Sequence, residues 1–171
     1  MFRNLLLLVT GLAAGLLAGG CAHYRLGTGA APDFHTLYIS PVRNDSNLPQ
    51  AAATVSAQLR DEFLRDGRVT LVSSPAEADA TLTVVLTAYG RSVLTTQPGD
   101  SGLARKFGLA LDATATLQDN TAGRKLFEQR PLHAERESFT DSGQLQSEYQ
   151  AVPLLAGDLA KAAAHAVLDR W

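Results

Sequence analysis

Hydrophobic residues change their spacing several times along this chain, and each change marks an element. Leu48, Ala52, Val55, Leu59 and Phe63 recur at intervals of three and four, which predicts an amphipathic helix with one apolar stripe. Pro49 falls in its first turn, where a missing N–H is harmless, and Gly67 supplies the stop. The run Asn44-Asp45-Ser46-Asn47 before it predicts a turn with N-capping side chains. From Thr81 to Tyr89 the period drops to two, with Leu82, Val84, Leu86 and Ala88 on one side and mostly threonine on the other. That is the pattern of a half-buried strand with a solvated back. Phe107 to Gln118 alternates in the same way, through Leu109, Leu111, Ala113, Ala115 and Leu117.

The remaining segments complete the order. Leu37 to Val42 predicts a short strand in which Pro41 marks an end or an edge, and Val69 to Val72 predicts another. Residues 95–106 and 141–146 read as loops, Asp119 to Gly123 as a hairpin turn, and Lys125 to Phe139 as a longer, more polar strand. A closing helix is expected from about Gln150 to Arg170, its inner face built from Val152, Leu155, Ala156, Leu159, Ala163, Ala166 and Val167. Pro153 fits only if that helix starts close before it. The order β-α-β-β-β-β-α predicts an α+β domain, with two helices packed on one face of a mostly antiparallel sheet of four to five strands.

The first twenty residues follow a different pattern. Arg3 is followed by an apolar stretch from Leu5 to Ala18, shorter than the roughly 20 residues a membrane-spanning helix needs. This is a signal peptide. Small residues lead from it into Cys21, and Leu17-Ala18-Gly19-Gly20-Cys21 resembles a relaxed bacterial lipobox, with leucine one place further back than usual. The resemblance implies cleavage before Cys21 and lipidation of its sulfur. More than one acyl chain makes such an anchor stable. Residues 21–35 then form the lipidated cysteine and a tether, and residues 36–171 a single domain. Ala22 stands where an aspartate would favour retention in the inner membrane, so the periplasmic face of the outer membrane is the expected location.

Composition narrows the chemistry. Of the 171 residues, 46% are hydrophobic and 19% charged, which suits a globular core. Fifteen basic and seventeen acidic side chains give a net charge of -2, so the basic surplus of a nucleic-acid binder is missing. With one cysteine there is no intramolecular disulfide and no thiolate-rich zinc site. The four histidines, His23, His35, His133 and His165, have no paired ligand spacing. No metal and no cofactor is expected.

Catalytic readings are weak. Gly99-Asp100-Ser101-Gly102 resembles the nucleophile motif of trypsin-like proteases, but the histidine order is reversed and the chain is too short for two barrels. Glu135 and Glu137 share a strand face with Arg136 opposite, as an ordinary solvated strand would place them. No enzyme is expected. Basic residues stand out by position: Arg91 ends one strand, while Arg105 and Lys106 begin the next. Antiparallel pairing brings all three to one end of the sheet, where they could grip phosphates. Arg124 and Lys125 belong to the opposite end.

Four stretches together resemble the LPS-assembly lipoprotein family LptE. They are Cys21-Ala22-His23-Tyr24-Arg25-Leu26-Gly27, the strand and turn from Leu37 to Ser46, Ala78-Asp79-Ala80-Thr81-Leu82, and the Ala-rich helix from Leu155 to Trp171. The resemblance implies a non-enzymatic outer-membrane lipoprotein that plugs the lumen of a large LPS-translocating β-barrel (LptD-like) and binds lipopolysaccharide (LPS). The polar strand backs at Thr81, Thr83, Thr87, Asp112, Thr114 and Thr116 would then face a water-filled lumen. Arg91, Arg105 and Lys106 would be contacts for LPS phosphates. A lipoprotein adaptor that activates a periplasmic enzyme, such as a peptidoglycan synthase, is the alternative.

Overall fold

The computed structural model describes residues 32–96, 104–139 and 144–169. The predicted signal peptide, Cys21 and Ser101 lie outside the described residues. The elements run β1 (Thr36–Ile39), β2 (Arg43–Asn44), α1 (Ala51–Asp66), β3 (Thr70–Leu71), β4 (Ala80–Thr96), β5 (Ala104–Asp119), β6 (Arg124–Phe139) and α2 (Gln144–Leu168). Five strands lie in the order β3-β1-β4-β5-β6, and β2 pairs with β4 further along the lane that β1 occupies. β1 is parallel to β3 and β4, while β4, β5 and β6 form a long antiparallel meander. The protein is an α+β fold with a mixed, mostly antiparallel sheet. There are six strands because the expected first strand breaks between Ile39 and Arg43.

One face of the sheet makes the core. Leu82, Val84 and Leu86 from β4, then Leu109, Leu111, Ala113 and Ala115 from β5, are almost fully buried. α1 contributes Ala51, Val55, Leu59 and Phe63, each buried, so its stripe runs at four-residue steps. The helix begins later than the polar turn suggests. Gln50 is its N-cap and makes no side-chain cap, because Asn44 and Ser46 spend their side chains on the turn itself. Asn44 Oδ1 accepts from Ser46 N at 3.1 Å, and Asn44 Nδ2 donates to Leu48 O at 2.8 Å. Gly67 closes the helix with φ 72°, a conformation that suits glycine.

α2 departs more from expectation. It begins at Gln144, within the expected loop, so Pro153 sits inside the helix rather than in its first turn. Buried Leu155, Leu159, Ala163 and Val167 fasten the rest of α2 to α1 and to β5 and β6. The stretch Tyr149–Leu168 is long and apolar enough to cross a membrane by length and composition, yet its apolar stripe is already occupied by this core. Arg136 on the inner face of β6 meets Asp158 at 2.5 Å, and this bond holds the Asp158 carboxyl below the ordinary carboxylate range. The C-terminal end of α2 is capped from two sides, by Arg130 donating to Ala166 O at 2.8 Å and by Arg68 donating to Leu168 O at 3.2 Å. Cations there also suit the negative end of the helix dipole.

The Ala78-Asp79 stretch has a structural explanation. The Asp79 carboxylate accepts from His35 N and Thr36 N, both at 2.9 Å, while Thr36 Oγ1 accepts from Asp79 N at 2.8 Å. The starts of β1 and β4 are thereby clasped in register. The two backbone donors hold the Asp79 carboxyl below its usual range. Asn120 finishes the corner by donating to Ala78 O at 2.8 Å.

Candidate functional site

The predicted cationic end of the sheet is made by strand length. A strand of 17 residues such as β4 spans about 55 Å at ~3.3 Å per residue. α1, with 16 residues, spans only about 24 Å. β2 leaves β4 at Leu86. Beyond that point β4, β5 and β6 continue as three strands past the reach of α1. The expected loop 95–106 is correspondingly shorter, since β4 runs to Thr96 and β5 starts at Ala104.

A β-bulge then changes which residues share a face. Leu86 pairs with Ala113, but Ala88 pairs with Asp112, which leaves Thr87 as the extra residue. Ala88 was expected on the core face and instead lies on the open one. Tyr89, Arg91 and Val93 take the core side, opposite Leu111, Leu109 and Phe107. Arg91 lies over the Phe107 ring at 5.6 Å from its centroid. Lys106, opposite Phe139, belongs to the open face. There its Nζ meets Glu137 at 2.6 Å and lies 5.7 Å from the Phe139 centroid. Arg105 precedes Lys106 in β5. The structure therefore brings the three predicted cations to one end, with Arg91 and Lys106 on opposite faces. Arg124 lies at the other end, against Asp119 across the hairpin.

On the helix side of this end is an apolar groove of about 390 Å³. One wall comes from the entry to α1 (Leu48, Pro49, Gln50, Thr54), the floor from Tyr89, and the other wall from Tyr149, Val152 and Pro153 of α2. The Asn44 turn holds the first wall in place, so its polar residues serve the groove by geometry rather than by contact. Several large apolar side chains stay exposed at this end, among them Val93, Leu94, Phe139 and Tyr149. Sequence reasoning missed the groove because it depends on the bulge and on the early start of α2.

The open face carries the titratable groups. His133 Nδ1 is 2.7 Å from Asp112 Oδ1 and its Nε2 is 3.9 Å from Glu135. The Asp112 hydrogen bond raises the His133 pKa above its ordinary value. A raised folded-state pKa contributes stability fully below the unfolded value of about 6.5 and loses it as pH rises through the folded value. NMR titration of Asp112→Asn is expected to show the His133 midpoint falling; an unchanged midpoint would show that Asp112 does not hold the proton. Glu135 and Glu137 share this face as expected, while Arg136 turns to α2. His165 is exposed and bonds Asp169 at 2.6 Å. Among the described residues, no cluster of His, Cys, Asp and Glu is arranged to hold a metal ion.

The whole described domain has a recognisable ancestry. Residues 34–170 match the model of a family described as LptE, lipopolysaccharide-assembly. The chain belongs to the LptE family. This is a non-enzymatic family of membrane-associated lipoproteins of LPS assembly. Solved structures share the fold. Uncharacterized lipoprotein B from Nitrosomonas europaea matches with TM-score 0.53 at 18% identity, covering 84% of this chain and 86% of that one. A minor lipoprotein from Acinetobacter baumannii matches with TM-score 0.51 at 19% identity, covering 82% and 98%. Protein XCC0632 from Xanthomonas campestris matches with TM-score 0.54 at 13% identity, covering 81% and 87%. No curated protein matches the sequence.

Proposed function

We propose that this LptE-family protein is the lipoprotein that occupies the lumen of a large outer-membrane LPS-translocating β-barrel and helps deliver LPS to the outer leaflet. The observation that carries this reading is the family match across residues 34–170, the whole described domain. The architecture supports it physically. One sheet face is sealed by helices, and the other presents Thr83, Thr114, Thr116 and Asp112 to water, as a plug in a hydrated lumen requires. Cys21, lipidated after cleavage of residues 1–20, anchors the domain at the periplasmic face of the outer membrane. Arg91, Arg105 and Lys106 meet LPS phosphates at the projecting end of the sheet, with Arg91 and Lys106 approaching from opposite faces.

Affinity capture of tagged, lipidated protein from detergent-solubilised outer membranes is expected to recover a large β-barrel at about one-to-one stoichiometry. Recovery of a peptidoglycan synthase instead, or of no partner, overturns the proposal. Within the captured complex, Arg91→Glu and Lys106→Glu are each expected to lower retained LPS without displacing the barrel. LPS retention unchanged in both variants removes these residues from the ligand site.

A further inference from the structure

We infer that the apolar groove seats one acyl chain of LPS, with Arg91 at its mouth on the phosphate end of the same lipid. The inference rests on the LPS reading and deepens it, by assigning the apolar part of the ligand to a cavity distinct from the cations.

The lining selects the kind of occupant. Leu48, Pro49, Val152 and Pro153 are apolar, and Tyr89 and Tyr149 add their rings. Among the described residues, no charged side chain lines the groove. Gln50 and Thr54 supply the polar lining besides the tyrosines, and the Thr54 hydroxyl already donates to the Gln50 carbonyl at 3.4 Å. A peptide laid in such a groove brings an N–H and a C=O for every residue, and each one buried without a partner is costly. An alkyl chain brings neither, and its burial is favourable in proportion to the apolar area removed from water. The groove volume of about 390 Å³ lies within the roughly 300–1,000 Å³ typical of small-molecule sites.

The nearest predicted cation then selects the headgroup. Tyr89 forms the floor, and Arg91 follows it two residues on, on the same side of β4. That places the arginine about 7 Å further along the strand, at the mouth of the groove. A guanidinium recognises phosphate through its edge N–H groups, and stacking over the Phe107 ring fixes the direction in which that edge points. Val93 continues the same side beyond Arg91. Lys106 lies on the opposite face, against Glu137, and is not part of this arrangement. A free phosphate would use the arginine and not the groove, and a neutral oil the groove and not the arginine. A lipid with a phosphate beside its acyl chain uses both, and in a family of LPS assembly that lipid is LPS.

Photocrosslinking in cells that make the full-length lipoprotein tests the assignment. The photoreactive residue p-benzoylphenylalanine replaces Gln50 on the groove rim, Val93 beyond Arg91, or Thr114 on the open face. Adducts are captured through a tag and identified by LPS immunoblot and mass spectrometry. The LPS adduct at position 50 is expected to exceed that at position 114 by about fivefold or more. Adducts at position 50 with phospholipid, or with protein alone, overturn the inference. LPS adducts at position 93 with none at position 50 also overturn it, while leaving the phosphate contacts standing. No LPS adduct at any of the three positions removes the LPS reading as well. In the captured complex, Thr54→Trp fills the groove and is expected to lower retained LPS about threefold or more, while Thr54→Ser leaves it unchanged. Equal LPS retention in these two variants shows that the groove holds no acyl chain.

Discussion

Phe63→Ala is expected to lower the stability of the domain by about 3–5 kcal/mol, the largest effect of any single truncation proposed for it. Phe63 is fully buried and ends the α1 stripe that Ala51, Val55 and Leu59 begin. Its removal costs the transfer free energy of the ring and leaves a cavity that surrounding side chains fill only in part. Against a typical total of about 5–15 kcal/mol, that is roughly a fifth or more of what holds the domain folded. Urea unfolding is the measurement. With an m-value of about 2 kcal/mol/M, the midpoint should fall by roughly 2 M while m itself is unchanged. A shift below about 0.5 M would mean that the end of α1 is not packed as described. The groove should suffer early in such a variant, because α1 also supplies one of its walls.

Arg68→Ala is expected to cost about 2 kcal/mol at neutral pH through a different mechanism. Arg68 donates to Asp66 at 2.7 Å, to Asp169 at 2.9 Å and to the carbonyl of Leu168, so one guanidinium ties the end of α1 to the end of α2. Its side chain is 22% exposed and that of Asp169 is 9%, so solvent screens the pair only partly. Removal takes the guanidinium from Asp66 and from the Leu168 carbonyl, and leaves Asp169 with its bond to His165 alone. The Arg68 hydrogen bond lowers the Asp66 pKa, and bonds from His165 and then Arg68 lower that of Asp169. Depressed carboxylate pKa values give stability that is present above the unfolded value of about 3.9 and is lost as pH falls through the folded values. The gap between wild type and Arg68→Ala should therefore be widest near neutrality and narrow below about pH 4. Thermal melts across that range check the sign. A gap that widens in acid would contradict the assigned pairing.

Much of the architecture was legible because burial on one face imposes a period. The threes and fours of α1 and the alternation in β4 and β5 had to appear once each element laid one side on the core. The family was legible for a related reason: the Asn44 turn and the Asp79 clasp between β1 and β4 need particular side chains at particular positions. The candidate site was legible only in part. That Arg91, Arg105 and Lys106 share an end follows from hairpin pairing, which the alternating strands already imply. The placing of Arg91 and Lys106 on opposite faces does not, because a single extra residue, Thr87, reverses the side chains that follow it as far as Val93.

The sequence by itself determined the element types, the two-helix cover, the lack of a disulfide and the polar back of the sheet, since each depends on residue identity and near-neighbour spacing. Tertiary structure decided the bulge at Thr87, the extension of β4 and β5 past α1, and the start of α2 nine residues before Pro153. These depend on which strand pairs with which, and on core contacts that outweigh a proline's local preference to begin a helix. Together they create the groove, whose walls come from segments about a hundred residues apart in sequence and meet only when the sheet has formed.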